Sequence, residues 1–283
     1  MSAAVGVTSA GVPVPEGARI VDDPDELAAH FADRPEVHAY ALGDLDEPYW
    51  SASRWFRRGD AVVGLVGLPP GDGVACYAVS TLDPAGSLAL VAEIAPFLPS
   101  GQPITGPVGL ARVLAAVRPL RWHAPHLRYA LIDRDALPAR SVEVLDLSID
   151  DLDAIAALYA IEPGAGFFVP GMVVDGVFCG VRSVDGPDGP DGSDGPDGRL
   201  VASAGTHVLS DRRGVAAIGA VYTAPTERGR GLGRAVTSAV ARRVIDRVPT
   251  VGLNVTVANS PARRIYDSIG FAPVHDYEEV VLS

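Results

Sequence analysis

The sequence predicts an α/β fold of the α+β type, arranged as two successive domains. Short apolar runs typical of strands alternate with capped helical segments along most of the 283 residues. A polar, proline-containing segment at residues 133–140 interrupts this alternation near the middle of the chain. The same order of elements then begins again, so we place the domains at residues 18–138 and 139–283.

The N-terminal half is predicted to begin with an arm and a helix. Residues 1–17 are small and rich in proline and glycine, which favours a flexible arm. Residues 22–31 read as a helix, because Asp23 suits the cap position and Pro24 suits the first helical position. Two strands, two helices and a further strand follow, in that order, at residues 61–68, 74–80, 88–98, 108–117 and 127–132.

The C-terminal half repeats the alternation of strands and helices. Residues 142–147 predict a strand, and Ser148 opens a capped helix with Asp151 three residues on. Residues 185–198 are a low-complexity repeat of aspartate, glycine and proline, which cannot bury apolar surface and predicts a solvated hairpin loop. Strands are predicted around it and after it, at residues 173–182, 200–209 and 215–223.

The charged residues exclude several classes of function. All 23 basic residues are arginine, so the chain cannot form a lysine Schiff base and lacks the lysine that a nucleotide-binding P-loop requires. The formal net charge of -12 argues against nonspecific nucleic-acid binding, which needs a cationic surface. We therefore expect no nucleic-acid partner.

Neither a metal site nor a membrane segment is expected. Cys76 and Cys179 lie far apart in the sequence, and the 6 histidines form no metal-binding pattern such as HExxH. No apolar run approaches the roughly 18 residues of a membrane-spanning helix. The first residues also lack the basic and apolar regions of a secretion signal. The sequence thus predicts a soluble, cytoplasmic protein without bound metal.

The segment after the strand at 215–223 has the chemistry of a phosphate-binding turn. It reads TERGRGLGR over residues 226–234 and leads directly into an amphipathic helix. Backbone N–H groups at a helix start lack intrahelical partners, and the helix dipole favours an anion there. Glycines allow close approach of a phosphate, while Arg228, Arg230 and Arg234 offer cationic donors. Taken alone, the loop also fits an arginine-rich turn without a ligand.

A second pattern follows and identifies a family. The predicted strand at 251–257 runs into ANSPARRIYDSIGF, where Ser260 and Pro261 suit a helix start and Gly270 a helix end. The order of strand, RxxGxG turn, helix, strand, NxxAxxxY helix and GF resembles the GNAT acyltransferase superfamily over about residues 142–282. The resemblance implies a mixed, mostly antiparallel central sheet that is splayed at the cofactor site. The N-terminal half then looks like a degenerate second copy or an appended α/β domain.

The same resemblance implies a binding site for acetyl-CoA. In the family, the RxxGxG turn binds the pyrophosphate, the strand before it pairs with the pantetheine arm, and the asparagine contacts the cofactor. The matching residues here are Val221, Tyr222, Thr223, Arg228, Gly229, Arg230, Gly231, Leu232, Gly233, Arg234 and Asn259.

The resemblance implies the general acid but not the general base. The family tyrosine, which donates a proton to the leaving thiolate, falls on Tyr266. Many members carry a glutamate on the strand before the turn, but residues 215–222 contain no carboxylate. A histidine suits the role of general base because it titrates near neutral pH. Ordered water that removes the proton from the amine is the alternative. The candidate bases are His207, Glu162, Asp211 and the C-terminal carboxylate of Ser283.

We therefore predict an N-acyltransferase that transfers acetyl from acetyl-CoA to a primary amine of a small molecule or peptide. A non-catalytic acyl-CoA sensor is the alternative, because the strand lacks its carboxylate. Residues 162–170, with Phe167 and Phe168, are predicted to line the acceptor pocket, and the aromatic and acidic segment 38–55 is a second candidate for acceptor contacts. Ordinary packing is the alternative for both segments.

Overall fold

The chain forms two compact units. The computed structural model describes residues 11–68, 73–139, 143–162, 168–183 and 198–283. Unit 1 contains the described residues up to Arg128 together with 255–259 and 273–283, and unit 2 contains those of 129–254 and 260–272. These units differ from the predicted segments 18–138 and 139–283, because the C-terminal strand packs in unit 1.

Unit 1 contains a sheet flanked by short helices. Its elements are β1 (Arg19–Val21), α1 (Pro24–Phe31), α2 (Pro35–Gly43), β2 (Ser53–Arg58), β3 (Ala61–Leu68), β4 (Gly73–Ala78), α3 (Pro84–Ile94), β5 (Pro103–Gly106), α4 (Leu110–Ala115) and most of β6 (Leu120–Leu131). Most of the last strand of the chain, β12 (Phe271–Leu282), also belongs to this unit. Its core packs α3 against β3, with Phe56, Leu65, Leu90 and Val280 among the buried side chains.

Unit 2 repeats the order of elements found in unit 1. It contains β7 (Leu145–Leu147), α5 (Leu152–Ala160), α6 (Gly171–Asp175), β8 (Phe178–Arg182), β9 (Leu200–Ser210), β10 (Val215–Thr223), α7 (Leu232–Val244), most of β11 (Thr250–Thr256) and α8 (Ser260–Asp267). One of its apolar clusters lies between α5, α6 and the sheet, with Ile155, Leu158, Phe178 and Tyr222 among its members.

The strand pairing is the same in both units. In unit 1, β1 to β4 pair antiparallel in sequence, and β4 then pairs parallel with β5. In unit 2, β7 to β10 pair antiparallel in sequence, and β10 then pairs parallel with β11. β12 pairs antiparallel with β5, with Glu278 opposite Gly106, which explains why the C-terminal strand joins unit 1. The predicted mixed, mostly antiparallel architecture is confirmed.

Side-chain caps fix where the helices of unit 1 begin. Asp23 accepts a hydrogen bond from the backbone N–H of Asp25 at 2.9 Å, and Pro24 opens α1 as predicted. α3 begins earlier than its predicted start at residue 88, because Asp83 accepts a hydrogen bond from the Gly86 N–H at 2.8 Å. Both helices therefore start at an Asp-Pro pair.

The capped helix start at Ser148 is predicted correctly, but one strand of unit 2 is not. The Ser148 hydroxyl accepts from the Asp150 N–H at 3.2 Å, and the Asp151 carboxylate accepts from the Ser148 N–H at 2.9 Å. The predicted strand at 173–182 is wrong in its first part, because β8 begins only at Phe178. Met172 and Val173 lie in the short helix α6 and are buried, so the apolar character of these two residues reflects helix packing.

Two predicted irregular segments lie partly outside the described residues. Residues 1–10 of the predicted arm are outside, whereas Val12 is buried in the core of unit 1 and Glu16 accepts a hydrogen bond from Arg58 at 2.9 Å. The aspartate repeat is outside except for Gly198, and it connects strands that pair antiparallel, with Arg182 opposite Leu200. Among the described helices, none is both long and apolar enough to cross a membrane.

Candidate functional site

The turn between β10 and α7 presents backbone N–H groups to an open space. Gly229 and Gly231 have φ values of +80° and +79°, a conformation that a residue with a side chain rarely adopts. A Cβ at either glycine would meet no described atom within 4 Å, so the outer side of the turn is open. Gly231 is the N-cap of α7 and, among the described residues, no side chain caps it. The first-turn amides of α7 therefore remain available to an anion.

Two arginines of this turn form ion pairs with carboxylates. Arg228 forms an ion pair with Glu162 and donates from Nε to the Thr223 carbonyl at 3.1 Å, while its guanidinium lies 5.9 Å from the Tyr222 ring centre. Arg230 forms an ion pair with Glu227. Both arginine side chains are more than half exposed, so these pairs contribute little to stability. The turn thus already binds negatively charged oxygens.

Arg234 lies in the first turn of α7 and lines a cavity of unit 2. The cavity has a volume of about 240 Å³, and Asp146, Ser238 and Arg242 also line it. Gly233, between Arg234 and the cap, would place a Cβ 3.5 Å from the Thr223 hydroxyl and 3.6 Å from the Ile265 side chain. The start of α7 therefore packs between the end of β10 and α8.

A bulge interrupts β10 just before the predicted pantetheine strand. Ala220 and Val221 together stand opposite Ala204, because the paired residues on either side are Gly219 with Gly205 and Tyr222 with Ser203. Ala220 has a φ of +49°, which is unusual for a residue with a side chain.

The pairing between β10 and β11 also ends at this point. The parallel pairing runs only from Val215 with Thr250 to Ile218 with Leu253, although β10 continues to Thr223. The predicted splay at the site is therefore confirmed, and the bulged end of β10 carries backbone groups that β11 does not bind within this register.

Tyr159, which no sequence pattern singles out, forms a hydrogen bond with the bulge. The Tyr159 hydroxyl donates to the Ala220 carbonyl and accepts from the Ser203 hydroxyl at 3.3 Å. Burial raises the pKa of Tyr159, so the hydroxyl stays protonated and remains a donor. The only sequence signal for this role is an aromatic residue near the end of α5, which is equally typical of core packing.

Aromatic side chains extend from Tyr159 towards the predicted acceptor loop. The Tyr159 ring stacks on Phe168 with centres 5.4 Å apart and lies 5.5 Å from the Tyr222 ring. Phe168 also contacts Phe178 edge to face at 5.7 Å. Phe168 is therefore part of the apolar packing of unit 2, which was the alternative reading for this loop. Phe167 lies outside the described residues.

Tyr266 is a buried residue of α8. Its side chain is 6% exposed, and its ring lies 6.2 Å from that of Tyr129 and 6.4 Å from that of Phe271. Burial raises the pKa of Tyr266 to about 12. The phenol is therefore neutral at physiological pH, which is the form that a proton donor requires.

His207 lies against the glycine that precedes the bulge. His207 forms a bulge in β9. Its neighbours Thr206 and Val208 pair with two adjacent residues of β10, Ile218 and Ala217, so His207 itself has no paired residue on β10. A Cβ at Gly219 would lie 2.4 Å from His207 Nε2, so only glycine leaves room for the imidazole in this position. His207 therefore packs against Gly219, the residue immediately before Ala220.

The other three candidate bases have defined surroundings. Glu162 pairs with Arg228 and accepts from the Tyr222 hydroxyl at 3.1 Å. Asp211 pairs with Arg247 at 2.7 Å, which lowers the pKa of the aspartate, and it lies in the turn before β10. β10 runs from Val215 to Thr223, so its far end is about 27 Å from its start beside that turn, at roughly 3.4 Å per residue. Ser283 lies in unit 1, where Arg118 donates to its carbonyl oxygen at 2.7 Å.

Asn259 and the aromatic and acidic segment 38–55 both belong to unit 1. The Asn259 N–H donates to the Thr256 carbonyl at 3.0 Å, which closes the turn before α8. His38 and Trp55, at the ends of the aromatic and acidic segment, are 2% and 1% exposed. These two side chains pack inside unit 1, in agreement with the alternative reading of that segment.

Comparisons with known proteins bear on the fold. Residues 201–280 match the family model for FR47-like proteins. A solved structure of a GNAT-family protein from Novosphingobium aromaticivorans is 23% identical, with a TM-score of 0.58 and coverage of 93% of this chain and 99% of that chain. A GCN5-related N-acetyltransferase from Kribbella flavida is 18% identical, with a TM-score of 0.58 and coverage of 87% and 93%.

A tandem GNAT protein from the clavulanic acid biosynthesis pathway shows the same likeness over both halves. It is 14% identical, with a TM-score of 0.52 and coverage of 93% of this chain and 97% of that chain. A search of curated proteins gave no match. The resemblance predicted from the sequence is confirmed: the chain has the GNAT fold in its two-domain form.

Proposed function

We propose that this chain, with its two-domain GNAT fold, is an acyl-CoA-dependent N-acyltransferase whose site lies in unit 2. The observation that carries the proposal is the start of α7, which no described side chain caps, beside two glycines whose outer side is open. Arg228, Arg230 and Arg234 lie within the same nine residues of the sequence. Such a site suits a pyrophosphate, which carries negative charge and many acceptor oxygens. The bulged end of β10 beside it offers backbone groups to an extended amide-containing arm.

The residues around the turn fit acetyl-CoA as the acyl donor. Phosphate oxygens would replace the carboxylates of Glu162 and Glu227 on Arg228 and Arg230, and Arg234 adds a third cation. Val221, Tyr222 and Thr223 would pair through their backbone with the pantetheine arm, while the amides from Gly229 to Gly233, including Leu232, bind the pyrophosphate. Asn259 is proposed as a further cofactor contact.

The proposed reaction is direct transfer of the acyl group to an amine. The neutral amine nitrogen attacks the thioester carbonyl carbon and forms the C–N bond, which places negative charge on the carbonyl oxygen. A backbone N–H near Val221 or Tyr222 is suited to stabilise this charge. The C–S bond then breaks, and CoA leaves as a thiol once its sulfur is protonated. One proton leaves the nitrogen and one reaches the sulfur, so the reaction balances.

Two side chains are proposed for these proton transfers. Tyr266 donates the proton to the sulfur, because burial keeps its hydroxyl protonated. His207 accepts the proton from the amine, since β10 offers no carboxylate and the imidazole lies beside the bulge. Water then returns the proton from the histidine to the tyrosine, so neither residue is consumed.

The function is tested by the release of free thiol from acetyl-CoA with a panel of primary amines. The panel includes small amines and peptides with free N-termini, because the acceptor is not specified by the turn. We expect thiol release above the hydrolytic background with at least one amine and acetylation of that amine by mass spectrometry. No release with any amine, in a protein that binds acetyl-CoA, would contradict the enzyme proposal.

Replacing Gly219 with alanine is expected to displace His207 and slow turnover. The new Cβ would lie 2.4 Å from the imidazole, so the ring must rotate away. A misplaced catalytic group costs on the order of 10²-fold in rate. The thiol-release rate measures this effect, and the double variant with His207→Gln is the control. If Gly219→Ala slows His207→Gln as much as it slows the unmodified protein, the imidazole is not the group that acts.

A non-catalytic acyl-CoA sensor is the second candidate function. It is favoured by the absence of a carboxylate along β10 and by the ion pair that already occupies Arg228. A sensor would bind acetyl-CoA with saturation and release no thiol with any amine. The same binding and release experiments therefore separate the two candidates.

A further inference from the structure

The carbonyl of Ala220, in the bulge of β10, is bound by a side chain of helix α5. It accepts a hydrogen bond from the hydroxyl of Tyr159, which lies in the last turn of that helix. Ala220 and Tyr222 belong to the apolar cluster between α5, α6 and the sheet, and Tyr159 packs against this cluster. The carbonyl end of the peptide unit between Ala220 and Val221 is therefore directed towards α5.

The same contact fixes the direction of the next backbone N–H. The peptide bond between Ala220 and Val221 is trans, because among the described residues the only cis bond joins Glu47 and Pro48. In a planar trans peptide the carbonyl and the N–H point in opposite directions. The Val221 N–H therefore points away from the Tyr159 hydroxyl, and it cannot turn without breaking the hydrogen bond to the carbonyl.

Val221 is the accessible residue of the bulge. It is partly exposed, whereas its neighbours Ala220 and Tyr222 are buried. The bulge interrupts the ladder with β9 at Val221, while Tyr222 already pairs with Ser203 again. The pairing of β10 with β11 has ended earlier, at Ile218. Of the N–H groups of Val221 and Tyr222, the first therefore combines access from outside with an interrupted ladder.

The bulge needs support because its backbone conformation is unfavourable. Ala220 has a φ of +49°, which crowds its Cβ, and such a conformation persists only where the surroundings stabilise it. The Tyr159 hydroxyl is itself held in place, since it accepts from the buried Ser203 hydroxyl at 3.3 Å and its ring stacks on Phe168. The Ala220 carbonyl is thus bound by a fixed donor.

We propose that Tyr159 is a positioning residue for acyl transfer, which holds the Ala220 carbonyl so that the Val221 N–H faces the thioester oxygen of the acyl donor. This inference rests on the proposed function, because it assigns a role within that reaction. Negative charge develops on the thioester oxygen when the amine attacks, and a prealigned N–H stabilises that charge in the transition state. Tyr159 acts through the backbone and takes no part in the proton transfers.

Tyr159→Phe tests this role, because it removes the hydroxyl and keeps the ring packed on Phe168 and Tyr222. We expect thiol release at saturating acetyl-CoA and amine to fall roughly 10²-fold, the cost of a misplaced catalytic group. Acetyl-CoA affinity, measured by calorimetry, should stay nearly unchanged, because the proposed pyrophosphate site lies at the start of α7. A loss of affinity with an unchanged rate at saturation would overturn the proposal.

Ser203→Ala is the matched control within the same hydrogen-bond network. It removes the hydroxyl that donates to Tyr159 but leaves the bond from Tyr159 to the Ala220 carbonyl. Thiol release by Ser203→Ala should therefore be close to that of the unmodified protein. Equal slowing in both variants would assign the effect to a general loss of packing and overturn the positioning role.

The infrared band of the bound thioester carbonyl gives a readout that needs no amine. A hydrogen bond to the carbonyl oxygen lowers its stretching frequency. With isotope-labelled acetyl-CoA, we expect a lower frequency than in free acetyl-CoA for the unmodified protein and Ser203→Ala, and a frequency closer to the free value for Tyr159→Phe.

The two proposals fail in different ways in these experiments. Equal frequencies and equal rates in Tyr159→Phe and the unmodified protein would overturn the role of Tyr159 and leave acyl transfer standing. Bound acetyl-CoA without thiol release would contradict the proposed enzyme, while the infrared comparison would still decide whether Tyr159 directs the N–H. Failure of the unmodified protein to bind acetyl-CoA would overturn both.

Discussion

Replacing Gly231 with valine is expected to abolish acyl-CoA binding. Gly231 has a φ of +79° and caps α7, and a β-branched residue strongly disfavours that conformation. The backbone must rotate, which turns the first amides of α7 away from the pyrophosphate. Losing two hydrogen bonds to a charged group predicts an affinity at least about 100-fold weaker. The shift in melting temperature caused by acetyl-CoA reports this loss, because a ligand stabilises the folded state that binds it.

Gly214→Val is the matched control for this experiment. Gly214 lies in the turn before β10, in the same unit, and has a φ of +69°. Valine there requires the same positive φ, and its Cβ would also lie 3.2 Å from the Pro249 ring, at the end of the strand far from the turn that precedes α7. We expect both variants to be less stable than the unmodified protein, but only Gly231→Val to lose the shift caused by acetyl-CoA. Equal shifts in the two variants would show that the start of α7 does not bind the cofactor.

Replacing Tyr266 with phenylalanine is expected to slow acyl transfer roughly 10²- to 10⁴-fold, the usual contribution of a general acid. The change removes the hydroxyl that protonates the leaving sulfur and keeps the ring packed against Tyr129 and Phe271. Acetyl-CoA affinity should therefore stay unchanged. The rate of thiol release at saturating acetyl-CoA measures the loss, because at saturation the rate no longer depends on binding.

Tyr129→Phe is the control within the same aromatic cluster. Tyr129 is buried and contacts the Tyr266 ring edge to face, and its hydroxyl accepts a hydrogen bond from Arg263 at 3.4 Å. Removing this hydroxyl changes the polarity of the cluster without removing the proposed donor. We expect turnover within about threefold of the unmodified protein. A rate for Tyr266→Phe that matches this control would assign proton donation to water or to another group.

The parts of the site that the sequence predicts are the local ones. The turn from 226 to 234 is specified by glycines that take positive φ values and by arginines within a few residues of each other. The helix starts at Asp23 and Ser148 are similarly local, because a cap needs only a side chain and the next two or three amides. Such features depend on neighbours along the chain, so their patterns survive in a single sequence.

The parts that the sequence does not predict depend on distant pairs. Tyr159 holds the carbonyl of Ala220, and Glu162 holds Arg228, across more than 60 residues in each case. The bulge at Ala220 arises from the register between β9 and β10, which no local pattern specifies. These contacts position the Ala220 carbonyl and the Arg228 side chain, and they form only when the chain folds.

Long-range pairing also explains the difference in domain boundaries. A division at 138/139 follows the repeated order of elements, and that repeat is present in the structure. The strand β12 nevertheless pairs with β5 through residues 278–281 and buries Val280 in the core of unit 1. An alternating strand of this kind carries no local information about which sheet it joins.

Calorimetric titration of acetyl-CoA into the unmodified protein is the most direct test that unit 2 binds an acyl-CoA at the start of α7. We expect saturable heat with one equivalent bound, weaker binding at higher salt because arginines bind the phosphates, and no measurable binding in Gly231→Val. If the unmodified protein gives no binding heat at several temperatures, or if Gly231→Val binds equally well, the start of α7 is not an acyl-CoA site.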